Sequence, residues 1–169
     1  MCTIYLIGFM GSGKSTVGNR LSFQLNIKQM DTDTLIEEKK GKKITKIFQE
    51  EGEASFRKYE TAILKSIVHN NCVVSTGGGI VEKKENIDHM KKHGTLVYLH
   101  ASFDDIVNRL KYDQDRPLWN NDLENKYALY NQRHEIYLSC ADFMLETDEK
   151  TPYTVADEVI ELINQMKQE

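Results

Sequence analysis

The stretch from Gly8 to Thr16 reads G-F-M-G-S-G-K-S-T, the spacing of a phosphate-binding loop, G-x-x-x-x-G-K-[ST]. Glycines at 8, 11 and 13 let the backbone turn so that its N–H groups converge on phosphate oxygens. Lys14 has the reach and charge for the β- and γ-phosphates, and the Ser15 hydroxyl suits a place on Mg²⁺. A helix opening at Lys14 would add the positive end of its dipole. The loop needs a strand before it and a helix after it. Ile4-Tyr5-Leu6-Ile7 supplies the first, and Val17, Leu21 and Leu25 give the second a buried stripe. The expectation is nucleoside-triphosphate binding through Gly11, Ser12, Gly13, Lys14, Ser15 and Thr16.

Such a loop serves kinases, GTPases, motors and transporters alike. GTPases normally read guanine with N-K-x-D, but here Asn125-Lys126 is followed by Tyr127 and Ala128. The usual metal-side carboxylate at the end of an apolar strand is also missing, since Val73 and Val74 lead into Ser75, Thr76 and three glycines. The carboxylates that could serve a metal are Asp31 and Asp33, in D-T-D after a short second strand. Ligands of open α/β sheets gather at the carboxyl ends of strands, which would turn both aspartates toward the γ-phosphate. Capping the next helix is the competing role, because Asp favours the N-cap and the first turn.

The elements that must hold these residues alternate strand and helix, the signature of a parallel sheet covered on both faces. Strands are expected at Thr3–Ile7, near Lys28–Met30, and at Cys72–Ser75, Thr95–Leu99 and Phe143–Glu146. Val155, Val159, Leu162, Ile163 and Met166 recur at helical spacing and form a closing helix. Tyr112–Glu124 has no periodicity and is rich in Asp and Asn, so it reads as a mobile flap between two helices.

The chain of 169 residues fits a single domain, 1–169. Its net charge of −4, without a long basic stretch, argues against nucleic-acid or membrane-surface binding. Apolar runs are strand-sized, which excludes a transmembrane span. Met1 leads almost directly into the first strand, leaving no room for a signal peptide. Cys2, Cys72 and Cys140 are odd in number and widely separated, so reduced thiols and a cytoplasmic location are expected.

Taken together the motifs resemble the shikimate kinase family, of the nucleoside-monophosphate-kinase-like P-loop fold. The resemblance runs through residues 8–18, D-T-D (31–33), I-F-x-x-x-G-E-x-x-F-R-x-x-E (47–60), T-G-G-G (76–79), R-P-L (116–118) and R-x-x-x-Y-x-x-x-A-D (133–142). It implies an α/β three-layer sandwich with a five-stranded parallel sheet in the order 2-3-1-4-5, a lid at about 112–124 and a substrate-binding helical region at about 33–60. It also implies a monomeric enzyme that moves the γ-phosphoryl of ATP, with Mg²⁺, to the 3-hydroxyl of shikimate.

The roles follow position by position. Lys14, Asp33 and Arg116 would be catalytic, with Asp33 binding the substrate hydroxyls and Arg116 arriving when the lid closes. Arg57, Arg133, Gly78 and Gly79 would bind the acceptor, a carboxylic acid whose two oxygens suit the guanidinium fork. Ser15 and Asp31 would hold the metal. Arg109 and Pro152 would flank the adenine, Arg116 also touching the nucleotide.

Several residues keep a second reading. Arg57 stands four residues after Glu53 and three before Glu60, the spacing of ordinary helix-surface ion pairs. Phe48 and Phe56 serve equally as walls of a binding site or as core, and Trp119 either covers the site or packs on a helix. The fourth motif departs from the family pattern, reading R-H-E-I-Y-L-S-C-A-D with Ser139 where a glutamate is usual and no proline. That leaves the support of Arg133 open. A gluconate-type or nucleotide kinase of the same fold, and a nucleotide-sensing module without turnover, are the rival functions.

Overall fold

Thr3–Ile7 forms β1, whose side chains alternate between two apolar layers as the period of a strand requires. Tyr5 and Ile7 enter one cluster, Ile4 and Leu6 the other. A strand covered on both faces belongs inside a parallel sheet. In the computed structural model, which describes residues 3–67, 71–111 and 122–166, β1 is the middle strand of five.

The remaining strands are β2 (Lys28–Asp31), β3 (Cys72–Ser75), β4 (Gly94–His100) and β5 (Phe143–Glu146). Their order is β2-β3-β1-β4-β5, with every pairing parallel, as the family resemblance implied. The helices are α1 (Lys14–Leu25), α2 (Thr32–Lys40), α3 (Ile44–Ser66), α4 (Lys84–His93), α5 (Phe103–Leu110), α6 (Leu123–Cys140) and α7 (Pro152–Met166), with a 3₁₀ turn at Ile80–Glu82.

One face of the sheet is covered by Val17 and Leu21 of α1 and by Val155, Val159 and Ile163 of α7. The other is covered by Leu64, Met90, Ile106, Tyr130 and Tyr137. Each fully buried aliphatic side chain contributes about 1.5–3 kcal/mol, so both layers hold the sheet firmly. A smaller cluster of Ile36, Ile47, Phe56 and Ile63 joins α2 to α3. Among the described residues no helix is long and apolar enough to cross a membrane.

This order puts the loops after β1, β2 and β3 side by side at the carboxyl edge, where crevices form. Thr76, just past β3, donates both its amide (3.2 Å) and its hydroxyl (2.9 Å) to the Leu6 carbonyl of β1. The Gly77 amide donates to Thr32 Oγ1 at 2.9 Å. Three loops distant in sequence are thereby fastened into one rim.

Two features differ from the sequence expectation. First, α3 is broken at Gly52, with φ 78° and ψ 167°, a conformation essentially confined to glycine. The break redirects the second half of α3, which carries Phe56, Arg57 and Glu60. No atom lies within 4 Å of where a Cβ would stand, so the demand is on the backbone alone. Gly52→Ala should therefore cost about 1–3 kcal/mol and lower Tm by roughly 2–12 °C. Thermal unfolding tests this, and an unchanged Tm would show that the chain accepts a side chain there.

Second, Leu123 and Glu124, which the sequence reading placed at the end of a flap at 112–124, belong to α6. Asp122 precedes the helix at φ 61° and accepts from the Asn125 side chain at 2.8 Å, and Glu124 favours the positive end of the helix. Residues 112–121, with Arg116 and Trp119, lie outside the described residues.

Candidate active site

Helix α1 starts without a side-chain cap and without an acid in its first turn, Gly13 standing at the N-cap with φ 91°. By contrast, Asp31 caps α2 and Ser102 caps α5. The first N–H groups of α1 are thus left for an anionic ligand, which the helix dipole also favours. The turn is anchored from behind: Ser75 Oγ donates to the Lys14 carbonyl at 3.0 Å, and Gln29 Nε2 to the Ser15 carbonyl at 3.0 Å. Lys14 is nearly buried and its ammonium donates to the carbonyls of Gly8 and Phe9, both at 2.8 Å. Those bonds hold its charge at the mouth of the loop.

Asp31 caps α2, one of the roles that its sequence position suggested, and keeps its second oxygen for another contact. One oxygen, Oδ1, accepts the amides of Asp33 (3.0 Å) and Thr34 (3.1 Å) and caps α2. The other, Oδ2, accepts the Ser15 hydroxyl at 2.7 Å. Two hard oxygen donors therefore meet beside the phosphate loop, a set that fits Mg²⁺. Among the described residues no group of three or more His, Cys, Asp or Glu could hold a metal.

Asp33 follows in the first turn of α2 and lines the same cleft. A Cβ on Gly77 would stand 2.7 Å from Asp33 Oδ1 and 2.6 Å from Glu60 Oε1, so the two carboxylates approach the same backbone atom. Burial lifts the Glu60 pKa above the ordinary value, Arg57 pulls it back, and the charge of Asp33 adds to the rise. Among the described residues, Glu60 Oε1 is buried without a hydrogen-bond partner.

Arg57 makes the ion pairs its spacing allowed: Nη1 to Glu60 at 2.5 Å and Nη2 to Glu53 at 2.9 Å. It also lines the cleft. Burial works against its charge, but the carboxylates of Glu60, Glu53 and Glu82 outweigh that and hold its pKa above the usual value. Its guanidinium lies directly over Gly79, where a Cβ would push it aside.

Arg133 arrives from α6, 5 % exposed. Its Nε and Nη2 donate to Glu82 Oε1 at 2.9 and 2.7 Å. One turn later Tyr137 donates to the Gly78 carbonyl at 2.5 Å. Burial raises the pKa of that phenol, which keeps its proton available for the bond. Helix α6 is thus clipped to the T-G-G-G loop by two side chains. The departure at Ser139 does not disturb this, because Ser139 is exposed and its hydroxyl donates to Ile136 of its own helix at 2.8 Å.

Glu82 escaped the sequence reading. It ends the 3₁₀ turn just before the charged start of α4, whereas its partners lie 25 and 51 positions away, and no local spacing announces them. Phe56 proves to be both core and wall, 4 % exposed in the α2–α3 cluster and lining the cleft. Phe48, 37 % exposed, packs on it at 4.7 Å between ring centroids and lines the same wall.

At the opposite end Arg109 reaches from α5 across the loop. It donates to the Gly11 carbonyl at 3.3 Å and the Thr147 carbonyl at 3.0 Å, and it pairs with Asp105. Pro152 opens α7 beside it, a position where its missing N–H costs nothing. A cleft of about 980 Å³ collects Gly11 through Thr16, Asp31, Asp33, Arg57, Gly78, Gly79, Arg109, Arg133 and Pro152. Every expected site residue within the described residues is in it; Arg116 is outside them. An anion cradle at one side and paired guanidiniums at the other can hold a phosphate donor facing a carboxylic acid.

The family model for shikimate kinase matches residues 10–164. The chain belongs to the shikimate kinase family. A shikimate kinase of Sulfurihydrogenibium sp. (strain YO3AOP1) is 45 % identical over 161 residues, which are 95 % of this chain and 96 % of that protein. One of Bacillus cereus (strain AH187) is 40 % identical over 165 residues, 98 % of this chain and 100 % of its own. The solved structure of a shikimate kinase from Acinetobacter baumannii in complex with shikimate superposes with a TM-score of 0.93 at 32 % identity, covering 100 % of this chain and 96 % of that one. Within this shikimate kinase, Arg57 and Arg133 are the guanidiniums brought together, from helices that are far apart in sequence.

Proposed function

We propose that this shikimate kinase transfers the γ-phosphoryl group of ATP to the 3-hydroxyl of shikimate, with donor and acceptor meeting between the phosphate loop and the arginine pair. The observation that carries this reading is the convergence of Arg57 and Arg133 on the cleft that the phosphate loop and Lys14 also line. A planar guanidinium pairs with two carboxylate oxygens, and two of them orient a small ring acid.

In this reading the amides of residues 11–16 and the Lys14 ammonium hold the β- and γ-phosphates, while Arg109 and Pro152 flank the adenine. Arg57, Arg133 and the backbone at Gly78 and Gly79 hold the acceptor. Asp33 orients the attacking hydroxyl and takes its proton. Ser15 and Asp31 would hold Mg²⁺, which neutralises charge on the phosphates when bound. Phosphoryl transfer needs positioning and charge neutralisation more than covalent help, and this set of residues supplies both. Arg116 is proposed to add positive charge as a lid running from about residue 112 to the start of α6 closes over the helical region 33–60 and excludes water. The chain acts as one domain, 1–169, a monomeric cytoplasmic enzyme.

A coupled ADP-release assay across shikimate, quinate, gluconate and nucleoside monophosphates tests the reading. Turnover should be fastest with shikimate, at about 1–100 per second, and NMR of the product should place the phosphate on the 3-hydroxyl. Faster turnover of gluconate or a nucleotide would overturn the acceptor, and ATP binding without turnover of any acceptor would mark a sensor.

A further inference from the structure

Glu82 does not line the cleft, yet it joins the two guanidiniums that do. Its Oε1 accepts both Nε and Nη2 of Arg133, and its Oε2 lies 3.5 Å from Arg57 Nε. Resting on the reading that these arginines grip the acceptor carboxylate, we propose that Glu82 is a positioning residue that aims Arg133 at that carboxylate.

The geometry separates aiming from competing. Nε and Nη2 form one edge of the guanidinium, and Glu82 fills it. Nη1 is left outside that edge, 3.6 Å from where a Cβ on Gly78 would stand, and Gly78 and Arg133 both line the cleft. A planar group held along one edge has its other edge fixed in space, because rotating the free edge would break two charge-assisted bonds. Glu82 is also the only carboxylate in a salt bridge with Arg133 among the described residues, whereas Arg57 keeps Glu53 and Glu60 as well. The effect of Glu82 should therefore run mainly through Arg133. Its own place is fixed by the 3₁₀ turn directly after Gly79, so loop and arginine share one frame.

Steady-state kinetics of the full chain test this with Glu82→Gln and Glu82→Asp, using shikimate and its uncharged carboxamide as acceptors. Gln keeps the size but loses the charge that fixes the fork. It should raise KM for shikimate about tenfold, within the range for residues in one charged network, while kcat and KM for ATP stay within about threefold. Asp should recover part of the loss. With the carboxamide, wild type and Glu82→Gln should not differ, a result that a general loosening of the fold would not give. Unchanged KM for shikimate overturns the proposal. So does a lowered KM, which would mean that Glu82 competes with the acceptor, or a parallel rise in KM for ATP. Arg133→Met is measured alongside. If it leaves KM for shikimate unchanged, the arginine reading fails and this inference with it. If it raises KM while Glu82→Gln does not, only this inference fails.

Discussion

Replacing Lys14 by methionine is expected to remove nearly all turnover from a protein that still folds. The ammonium sits at the mouth of the loop, held by the Gly8 and Phe9 carbonyls, where charge develops on the transferring group. Removing one such preorganised donor commonly lowers kcat by about 10²–10³, and loss of its full positive charge places Lys14 at the upper end. Methionine fills the same volume, so the adjoining Val17 and Leu21 layer should survive. ADP release measures the turnover, calorimetry the weakened ATP affinity and thermal unfolding the fold. A kcat within tenfold of wild type would remove Lys14 from the chemistry.

Arg57→Ala is expected to be the second severe variant, and for two reasons at once. Losing one partner of a charged, largely buried pair costs about 2–5 kcal/mol. Shikimate affinity should fall by roughly thirtyfold to a few thousandfold. ATP affinity, set at the other end of the cleft, should change little. Equal weakening of both ligands in calorimetry would show that Arg57 acts through the fold alone.

The second reason is Glu60, which is 1 % exposed and relies on Arg57 as its main counter-charge. Burial already raises its pKa above the ordinary 4.5, and without the arginine it would rise further. A carboxyl whose folded-state pKa is raised is harmless where both states are protonated, and its penalty grows as pH rises through the folded value. The Tm deficit of Arg57→Ala relative to wild type should therefore be smallest near pH ~4.5 and larger at pH ~8. A deficit independent of pH would show that Glu60 finds another partner.

Much of the architecture was legible because it rests on local periodicity. The alternation of Ile4, Tyr5, Leu6 and Ile7 places β1 between two layers, and the spacing from Lys14 to Leu25 places α1 directly after the loop. The break at Gly52 was not legible, since apolar spacing on either side continues a helix and only the backbone conformation reveals the turn. Asp31 and Arg57 each had two readings; the structure shows the helix cap and the ion pairs, and it leaves room for the other role because a carboxylate has two oxygens and a guanidinium several donors. Glu82 was invisible for a different reason: its chemistry depends on bringing α3 and α6 to one loop, and that is a property of the sheet order. The departure at Ser139 looked as if it touched Arg133, but Ser139 is on the exposed side of α6.

Asp31 ties two distances together that could otherwise vary independently. With one oxygen it meets Ser15 on the donor side, and with the other it starts the helix whose first turn carries Asp33 toward the acceptor. The gap between the two reaction partners is thus gauged by a two-residue interval of backbone and not by a long loop. In the proposed transfer, one carboxylate would therefore serve as the common reference for the metal side and the acceptor side.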